Sequence, residues 1–334
     1  MFSTQSNTIC CGSDHSVALL SNSTVKCWGN NHHNQCDPLH ETFTDVIQVA
    51  CGLSHSVVLH SNGTVNCWGY YGPVTYNLKR RLTDVIKVAC GANHSVALFS
   101  NGTVYCWGFN DGEQCNPVHL TFTNVMHVVC GSDFSVALLS NGTIKCWGNN
   151  IWRQCDPVHK TFTDVIQVAC GWHHSVALLS NGTIKCWGNN ERNQCDSMHL
   201  AITDAIQIAC GEDHSVVLFK NGTVRCWGNN SRNQCDPVHL ALENVTQIVC
   251  GSIHSVVLLT NGTVRCWGDN SWNQCDPVHL TFTDVVQVAC GAVHSVVLLS
   301  NGTVRCWGGN RLNQCDFTHF AITNVQCPCS AYLW

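Results

Sequence analysis

Residues 290–308, Cys-Gly-Ala-Val-His-Ser-Val-Val-Leu-Leu-Ser-Asn-Gly-Thr-Val-Arg-Cys-Trp-Gly, place two strand-forming runs on either side of an Asn301-Gly302 pair. Asn-Gly is the preferred two-residue type I′ turn, because both central residues need φ > 0 and the twist of that turn matches the flanking strands. A β-hairpin is expected. With Asn301-Gly302 at its tip, Val297 falls opposite Cys306 and Val296 opposite Trp307, so both faces carry apolar side chains and both need cover. A further run, Asp284 to Ala289, is rich in Val and suits a pleated, buried surface, which adds a third strand.

The same pattern recurs along the chain, with its Cys-Gly at 11, 51, 90, 130, 170, 210, 250 and 290, a step of 40 residues with one of 39. Between units lies Asn-Asn-x-x-Asn-Gln-Cys-Asp-Pro-x-His, whose Asn, Asp and Pro content marks a loop. Small sheets that are buried on both faces and repeat at this period stack as blades around an axis. The expected fold is all-β: one closed β-propeller domain over residues 1–334, with eight blades of three antiparallel strands. An open β-solenoid is the alternative. Residues Asn7 to Cys10 match the end of the strand before Cys-Gly and Ile322 to Cys327 match its beginning, so the terminal strands are expected to share the closing blade.

These marks resemble the regulator of chromosome condensation repeat family, whose units carry a Gly-x-x-His-Ser turn, an x-Gly tip, a Trp-Gly pair and a Gly-Gln-Leu-type ending. Gly291 to Ser295, Asn301-Gly302, Trp307-Gly308 and Asn313-Gln314-Cys315 are the corresponding residues here. The short unit is more similar to the three-stranded blades of the bacterial protein inhibitor of β-lactamases than to the four-stranded blades of the founding protein. Eight units depart from the family's usual seven. Nucleotide exchange on a small GTPase, which the resemblance brings to mind as an intracellular regulatory role, depends on particular loops of one member, and no unit here is longer than the period. Cysteine-rich versions also resemble repeats encoded by large DNA viruses of amoebae, as virion components.

Charged residues are only 11% of the chain and apolar ones 45%, so much of the surface must be neutral and polar. The 16 Lys and Arg are spread out and the net charge is −5, which gives no basic block for nucleic acid. No apolar run reaches the ~18 residues that span a bilayer, and Met1 to Asp14 has neither a basic stretch nor an apolar run, so no targeting signal is expected there. The 26 cysteines, by contrast, are a density expected in oxidising surroundings. A virion surface or another oxidising environment is therefore weighed against cytoplasm or nucleus.

Nucleophilic catalysis would need one Ser or Cys set apart with a base. Every such residue instead recurs around the ring, so no catalytic residue and no cofactor are expected. Cys-x-x-x-His occurs twice per unit, as in Cys290/His294 and Cys315/His319, and zinc accepts such ligands. Phe134 replaces one His in unit four, however, and unit two lacks the second motif, so no metal is assigned. If disulfides form, the Cys-Gly and Cys-Trp classes (Cys11, Cys27, Cys51, Cys67, Cys90, Cys106, Cys130, Cys146, Cys170, Cys186, Cys210, Cys226, Cys250, Cys266, Cys290 and Cys306) are expected to pair within a blade or between neighbouring blades, leaving the Gln-Cys class free, and the alternative is that all are buried thiols in a reducing compartment. The pairing follows from unit two, which lacks the Gln-Cys cysteine yet keeps Cys51 and Cys67. In the same register Cys290 and Cys306 share a face but sit two strands apart, roughly 10 Å and beyond disulfide reach, so a bond between the classes needs strand ends of adjacent blades to converge near the axis.

Acceptor triplets Asn-x-Thr recur at Asn22, Asn62, Asn101, Asn141, Asn181, Asn221, Asn261 and Asn301. Turn chemistry explains most of them, but Asn22-Ser23-Thr24 keeps the triplet while losing the turn glycine. For a partner surface the candidates are Trp152, Trp172 and Trp272, which have no core duty, and unit two's Tyr70, Tyr71, Tyr76, Lys79, Arg80 and Arg81, which replace the usual loop. The expected role is a non-enzymatic interaction or assembly component, meeting a protein or glycan partner, with self-assembly open to it.

Overall fold

Alternation of apolar residues in each unit builds three strands, and in the last complete unit these are Val285–Cys290, His294–Leu299 and Val304–Gly308, paired antiparallel in that order. We call them inner, middle and outer. The computed structural model describes residues 8–37, 43–70, 82–116, 122–156, 162–196, 202–235, 242–275, 281–315 and 322–326. Within them eight such three-stranded sheets follow one another.

The register differs from the expected one by one residue: Val296 faces Cys306, and Ser295 faces Trp307. The tip is the cause. Gly302 N–H donates to the Leu299 carbonyl at 2.9 Å and Leu299 N–H donates to the Thr303 carbonyl at 2.8 Å. Only Gly302 of this loop has positive φ, at 79°. Ser300 and Asn301 thus form the centre of a type I turn, and Gly302 is the left-handed residue of the bulge that follows it, a three-residue loop. One extra loop residue moves Cys306 into the row of Val296 and Ala289, while Cys290 stands in the row of Ser295 and Trp307. The two cysteines therefore lie on opposite faces of the blade, not on one.

This alternation explains the packing. Val256, Leu258, Val264 and Cys266 of the seventh blade meet Val285, Val288, Val297 and Trp307 of the eighth in one buried cluster. At roughly 1.5–3 kcal/mol for each large apolar side chain removed from water, such a junction is the main gross stabilising term. Seven of the eight Trp-Gly tryptophans also reach back one unit: the Trp307 indole N–H donates to the Gln274 carbonyl at 2.8 Å, and Trp28 to that of Gln314 at 2.9 Å. The second of these bonds joins the eighth blade to the first.

Closure is completed by the termini. Ile9–Cys11 leaves the inner strand of the first blade short, and Val325 continues it by bridging to Leu20. Gln326 N–H donates to the Leu19 carbonyl at 3.0 Å, and Leu19 N–H to that of Thr8 at 2.7 Å. Both terminal strands share the closing blade, as expected. Among the described residues no helix is long and apolar enough to cross a membrane.

Candidate functional site

Every Gly-x-x-His turn lies at the axis, and its glycine is required by crowding. A Cβ on Gly291 would sit 2.1 Å from Cε1 of His294 and 2.7 Å from the Gly12 carbonyl of the next blade. Backbone bonds then run around the axis from turn to turn, including Leu53 to Ala92 at 2.9 Å, Ala92 to Ser132 at 3.0 Å and Ala292 to Ser13 at 3.0 Å. The axial cavity lined by these turns is about 190 Å³, below the ~300 Å³ at which ligand pockets usually begin.

The turn histidines form a second belt. Nε2 of His254 meets Ser295 Oγ of the next blade at 2.9 Å, and His294 meets Ser16 at 2.8 Å. Burial pushes the imidazoles down, His15 to about 4 and His294 to about 3, so they are uncharged at neutral pH. These Ser-His pairs are wholly buried, as a hydrolytic pair that must meet substrate cannot be. In the fourth blade Phe134 occupies the same space, against Gly131.

The strands divide the surface into two ends. At the loop end stand the Gly-x-x-His turns and the Trp-Gly-Asn-Asn loops; at the tip end stand the hairpin tips. Each of the seven described loops is held by its own side chains: in the fourth unit, Cys155 N–H donates to Asn150 Oδ1 at 2.8 Å and Trp152 N–H to Gln154 Oε1 at 2.8 Å. What varies between loops is the pair of residues they push outward. In the fourth unit these are Ile151, 77% exposed, and Trp152, half-buried. Trp152 lies 6.5 Å from the His173 ring of the next unit, and Trp172, 40% exposed, lies 6.4 Å from the same ring. The loop of one blade and the turn of the next thus bring two of the three expected tryptophans into one aromatic patch. Arg153 is exposed beside Trp152. Around the axis Glu212 follows Trp172, its carbonyl accepting the Trp172 N–H at 3.2 Å, and partial burial raises the Glu212 and Asp213 carboxyls above the usual range.

Trp272 is elsewhere, under the guanidinium of Arg311 at 4.2 Å from the ring centre. Tyr70 stacks on His33 at 4.8 Å. Tyr71, Tyr76, Lys79, Arg80 and Arg81 lie outside the described residues. Among the described residues the buried indole N–H of Trp107 meets no acceptor, where its counterparts meet a Gln carbonyl.

The cysteine pairing is corrected. Cys266 is bridged to Cys275 and Cys306 to Cys315, each with Cα atoms 5.1 Å apart, so in the seventh and eighth units the Cys-Trp cysteine takes the Gln-Cys cysteine as its partner. Cys51 is bridged to Cys10 of the first unit, Cα to Cα 6.2 Å. Within a blade the expected Cys-Gly to Cys-Trp pairing fails because those two residues face opposite sides; across a junction, where Cys290 packs against Cys266, the Cys266 sulfur is taken by Cys275 of its own loop. Unit two keeps Cys51 for a reason outside the repeat, its bond to Cys10. Among the described residues no group of three or more His, Cys, Asp or Glu side chains is placed to hold a metal ion. The histidines of the His319 class lie outside them.

All eight acceptor asparagines are exposed at hairpin tips. Their side-chain carbonyls are engaged by the following Thr, as where Asn62 Oδ1 accepts Thr64 N–H at 3.0 Å and its hydroxyl at 2.6 Å. The sequence reading missed a second apolar feature at that end. Ile47, Ile86, Met126 and Ile206, each the second residue of an inner strand, are 40–55% exposed. Their signal was available: an aliphatic residue recurring where the bulge between the first and third strand residues turns it outward.

The sequence model of the regulator of chromosome condensation (RCC1) repeat matches residues 7–35, 46–70, 85–114, 126–151, 165–194, 205–234, 245–274 and 285–314. No curated protein matches the chain significantly. Among solved structures, Prp20p of Saccharomyces cerevisiae, which binds Gsp1p and histones, is 20% identical with a TM-score of 0.57, over 85% of this chain and 91% of that one. Human WBSCR16 is 22% identical with a TM-score of 0.56, over 92% and 88%. The ectodomain of the Physcomitrella patens receptor kinase CR4 is 19% identical with a TM-score of 0.58, over 79% and 73%. At these identities the likeness is one of fold.

Proposed function

The chain belongs to the regulator of chromosome condensation repeat family, and from that premise we propose that it is a non-enzymatic interaction propeller that binds a protein partner at its loop end. The observation that carries this reading is the patch of Ile151, Trp152, Trp172 and His173. Exposed aromatic and aliphatic side chains on rigid loops are what an interface anchor requires, since ordering costs little and burial releases much. The patch also stands at the one described junction where Phe134 replaces a belt histidine, so local symmetry is broken in both core and surface. A surface or virion assembly component is the setting we favour; an intracellular regulator is the alternative.

The test compares partner capture and cross-linking by the wild-type chain with those by Ile151→Ser and Trp172→Ala. Capture lowered at least tenfold, with thermal stability unchanged, supports the patch; unchanged capture overturns it. A second reading, self-assembly, is favoured by the exposed Ile47, Ile86, Met126 and Ile206 at the tip end. It competes with glycans on the tip asparagines, which would crowd the same end. Intact mass and sedimentation of one sample separate the two: a bare, concentration-dependent oligomer favours assembly, and a glycosylated monomer removes it.

A further inference from the structure

We propose that all seven units that possess a Gln-Cys cysteine close their Trp-Gly-Asn-Asn loop with a disulfide to the Cys-Trp cysteine, making a ring of covalently closed loops around the loop end. Two of these bonds, Cys266–Cys275 and Cys306–Cys315, are present. The inference extends them to Cys27–Cys36, Cys106–Cys115, Cys146–Cys155, Cys186–Cys195 and Cys226–Cys235.

The reason is that the loop places the two Cα atoms before any bond forms. In the bridged unit Cys275 N–H donates to Asn270 Oδ1 at 2.8 Å and Trp272 N–H to Gln274 Oε1 at 2.9 Å. The same Cys-to-Asn bond recurs for Cys36, Cys115, Cys155, Cys195 and Cys235, at 2.6–2.8 Å. The residue before each Gln is held at φ 60–62° throughout, as Asn273 and Asn313 are in the bridged units and Asn34, Glu113, Arg153, Asn193 and Asn233 are in the others. An identical backbone frame implies the 5.1 Å Cα separation of the bridged units, inside the 4.4–6.8 Å range that a disulfide needs. In the fifth unit the Cys186 and Cys195 sulfurs already lie 2.6 Å apart.

The rival arrangement runs across a junction. Cys290 packs into the same cluster as Cys266 and Cys275, so a bond from a Cys-Trp cysteine to the Cys-Gly cysteine of the next blade is the alternative to exclude. Each in-loop bond forms when the two thiols give up two protons and two electrons to an external disulfide, that of oxidised glutathione or of a dithiol oxidase. Attack by one thiolate gives a mixed disulfide, the second thiolate displaces it, and the external disulfide leaves as two thiols.

The experiment equilibrates the full chain with oxidised glutathione, alkylates remaining thiols in denaturant and digests without reduction. Seven in-loop linkages, with Cys90, Cys130, Cys170, Cys210, Cys250 and Cys290 alkylated, are expected. Linkage of Cys-Trp to Cys-Gly cysteines, or alkylation of the five additional pairs, overturns the proposal. A consequence rests on the interaction reading above: Cys146–Cys155 closes the loop that carries Ile151 and Trp152. The double variant Cys146→Ser, Cys155→Ser should lower partner capture several-fold while the other six linkages stay in the map. Linkage is read by mapping and the patch by capture, so failure of either is told apart from failure of the other.

Discussion

The junction between the fourth and fifth blades and the one that follows it differ in chemistry at the belt position, Phe134 in one and His174 in the other. At the later junction His174 Nε2 meets Ser215 Oγ at 2.8 Å across the gap. At the earlier one Phe134 fills the equivalent space, and Ser175 keeps the contact to the Cys170 sulfur, at 3.4 Å, that Ser16 and Ser95 make to their own cysteines alongside their histidine bonds. The apolar packing is otherwise alike: Phe134, Val136, Leu138 and Ile144 meet Val165, Val168, Ala177 and Trp187, as Val176, Leu178 and Ile184 meet Ala205, Ile208, Val217 and Trp227. Blade adhesion therefore comes from the Val, Ile and Trp side chains, and the histidine belt adds a bond that is conditional on pH.

That condition gives the largest expected effect. Burial holds His15, His94 and His254 at about 4 and His55, His174, His214 and His294 at about 3, against 6.5 when exposed. Because the folded-state values are depressed, the unfolded chain binds more protons below pH 6.5, so stability is intact above that pH and falls as pH drops towards 3 to 4. At pH 5 each site forgoes about 2 kcal/mol, and the seven together on the order of 10 kcal/mol, comparable with the whole stability of a typical domain. Cooperative unfolding near pH 5, followed by circular dichroism and tryptophan fluorescence, is expected. A chain equally stable at pH 5 and pH 7 would show that the belt is not buried neutral.

Next in size is the glycine beneath each ring. A Cβ on Gly171 would lie 2.3 Å from His174 Cε1 and 2.5 Å from the Gly211 carbonyl, whereas on Gly131 the three nearest atoms all belong to the Phe134 ring. Gly171→Ala should cost about 3 kcal/mol or more by overpacking against backbone, and Gly131→Ala somewhat less. Trimming the side chain sharpens the contrast: Phe134→Leu should restore part of the loss in Gly131→Ala, while His174→Ala should not rescue Gly171→Ala. Chemical denaturation of the four variants measures both. Equal rescue would mean that the carbonyl can move aside.

The repeat, the blade count and the sharing of one blade by both termini were legible because Cys-Gly, Asn-Gly and Trp-Gly punctuate every unit. The register was not, because Asn301-Gly302 fits a two-residue loop as well as it fits the end of a three-residue one. Only the φ of 79° at Gly302, with none at Asn301, separates the two. The cysteine pairing was illegible for a different reason: unit two is what suggests it, and there Cys51 is kept by its bond to Cys10 and not by a partner within the repeat. Trp152 and Trp172 were recognisable as tryptophans without a core role, but their convergence on His173 depends on how the loop of one blade overhangs the next turn, which no period reveals.

The smallest expected effect is also the most specific. His174→Phe should fit without rearrangement, because Phe134 already occupies that position over Gly131. It removes the bond to Ser215 and leaves that buried hydroxyl only the Cys210 sulfur, 3.9 Å away, which costs about 1 kcal/mol at pH 7. The same change deletes one proton-binding site of the unfolded state, which returns about 2 kcal/mol at pH 5. The variant should therefore be less stable than the wild type at pH 7 and no less stable than it at pH 5. Phe134→His runs the other way. It trades apolar burial for a bond to Ser175, so the two nearly cancel at pH 7, yet it adds an eighth buried neutral imidazole and about 2 kcal/mol of further acid loss. The quantity to compare is the drop in unfolding free energy from pH 7 to pH 5, obtained by urea denaturation at each pH. It should be smaller than wild type for His174→Phe and larger for Phe134→His. Equal drops in all three would mean that position 134 and position 174 differ in shape alone, and that acid sensitivity resides in other groups.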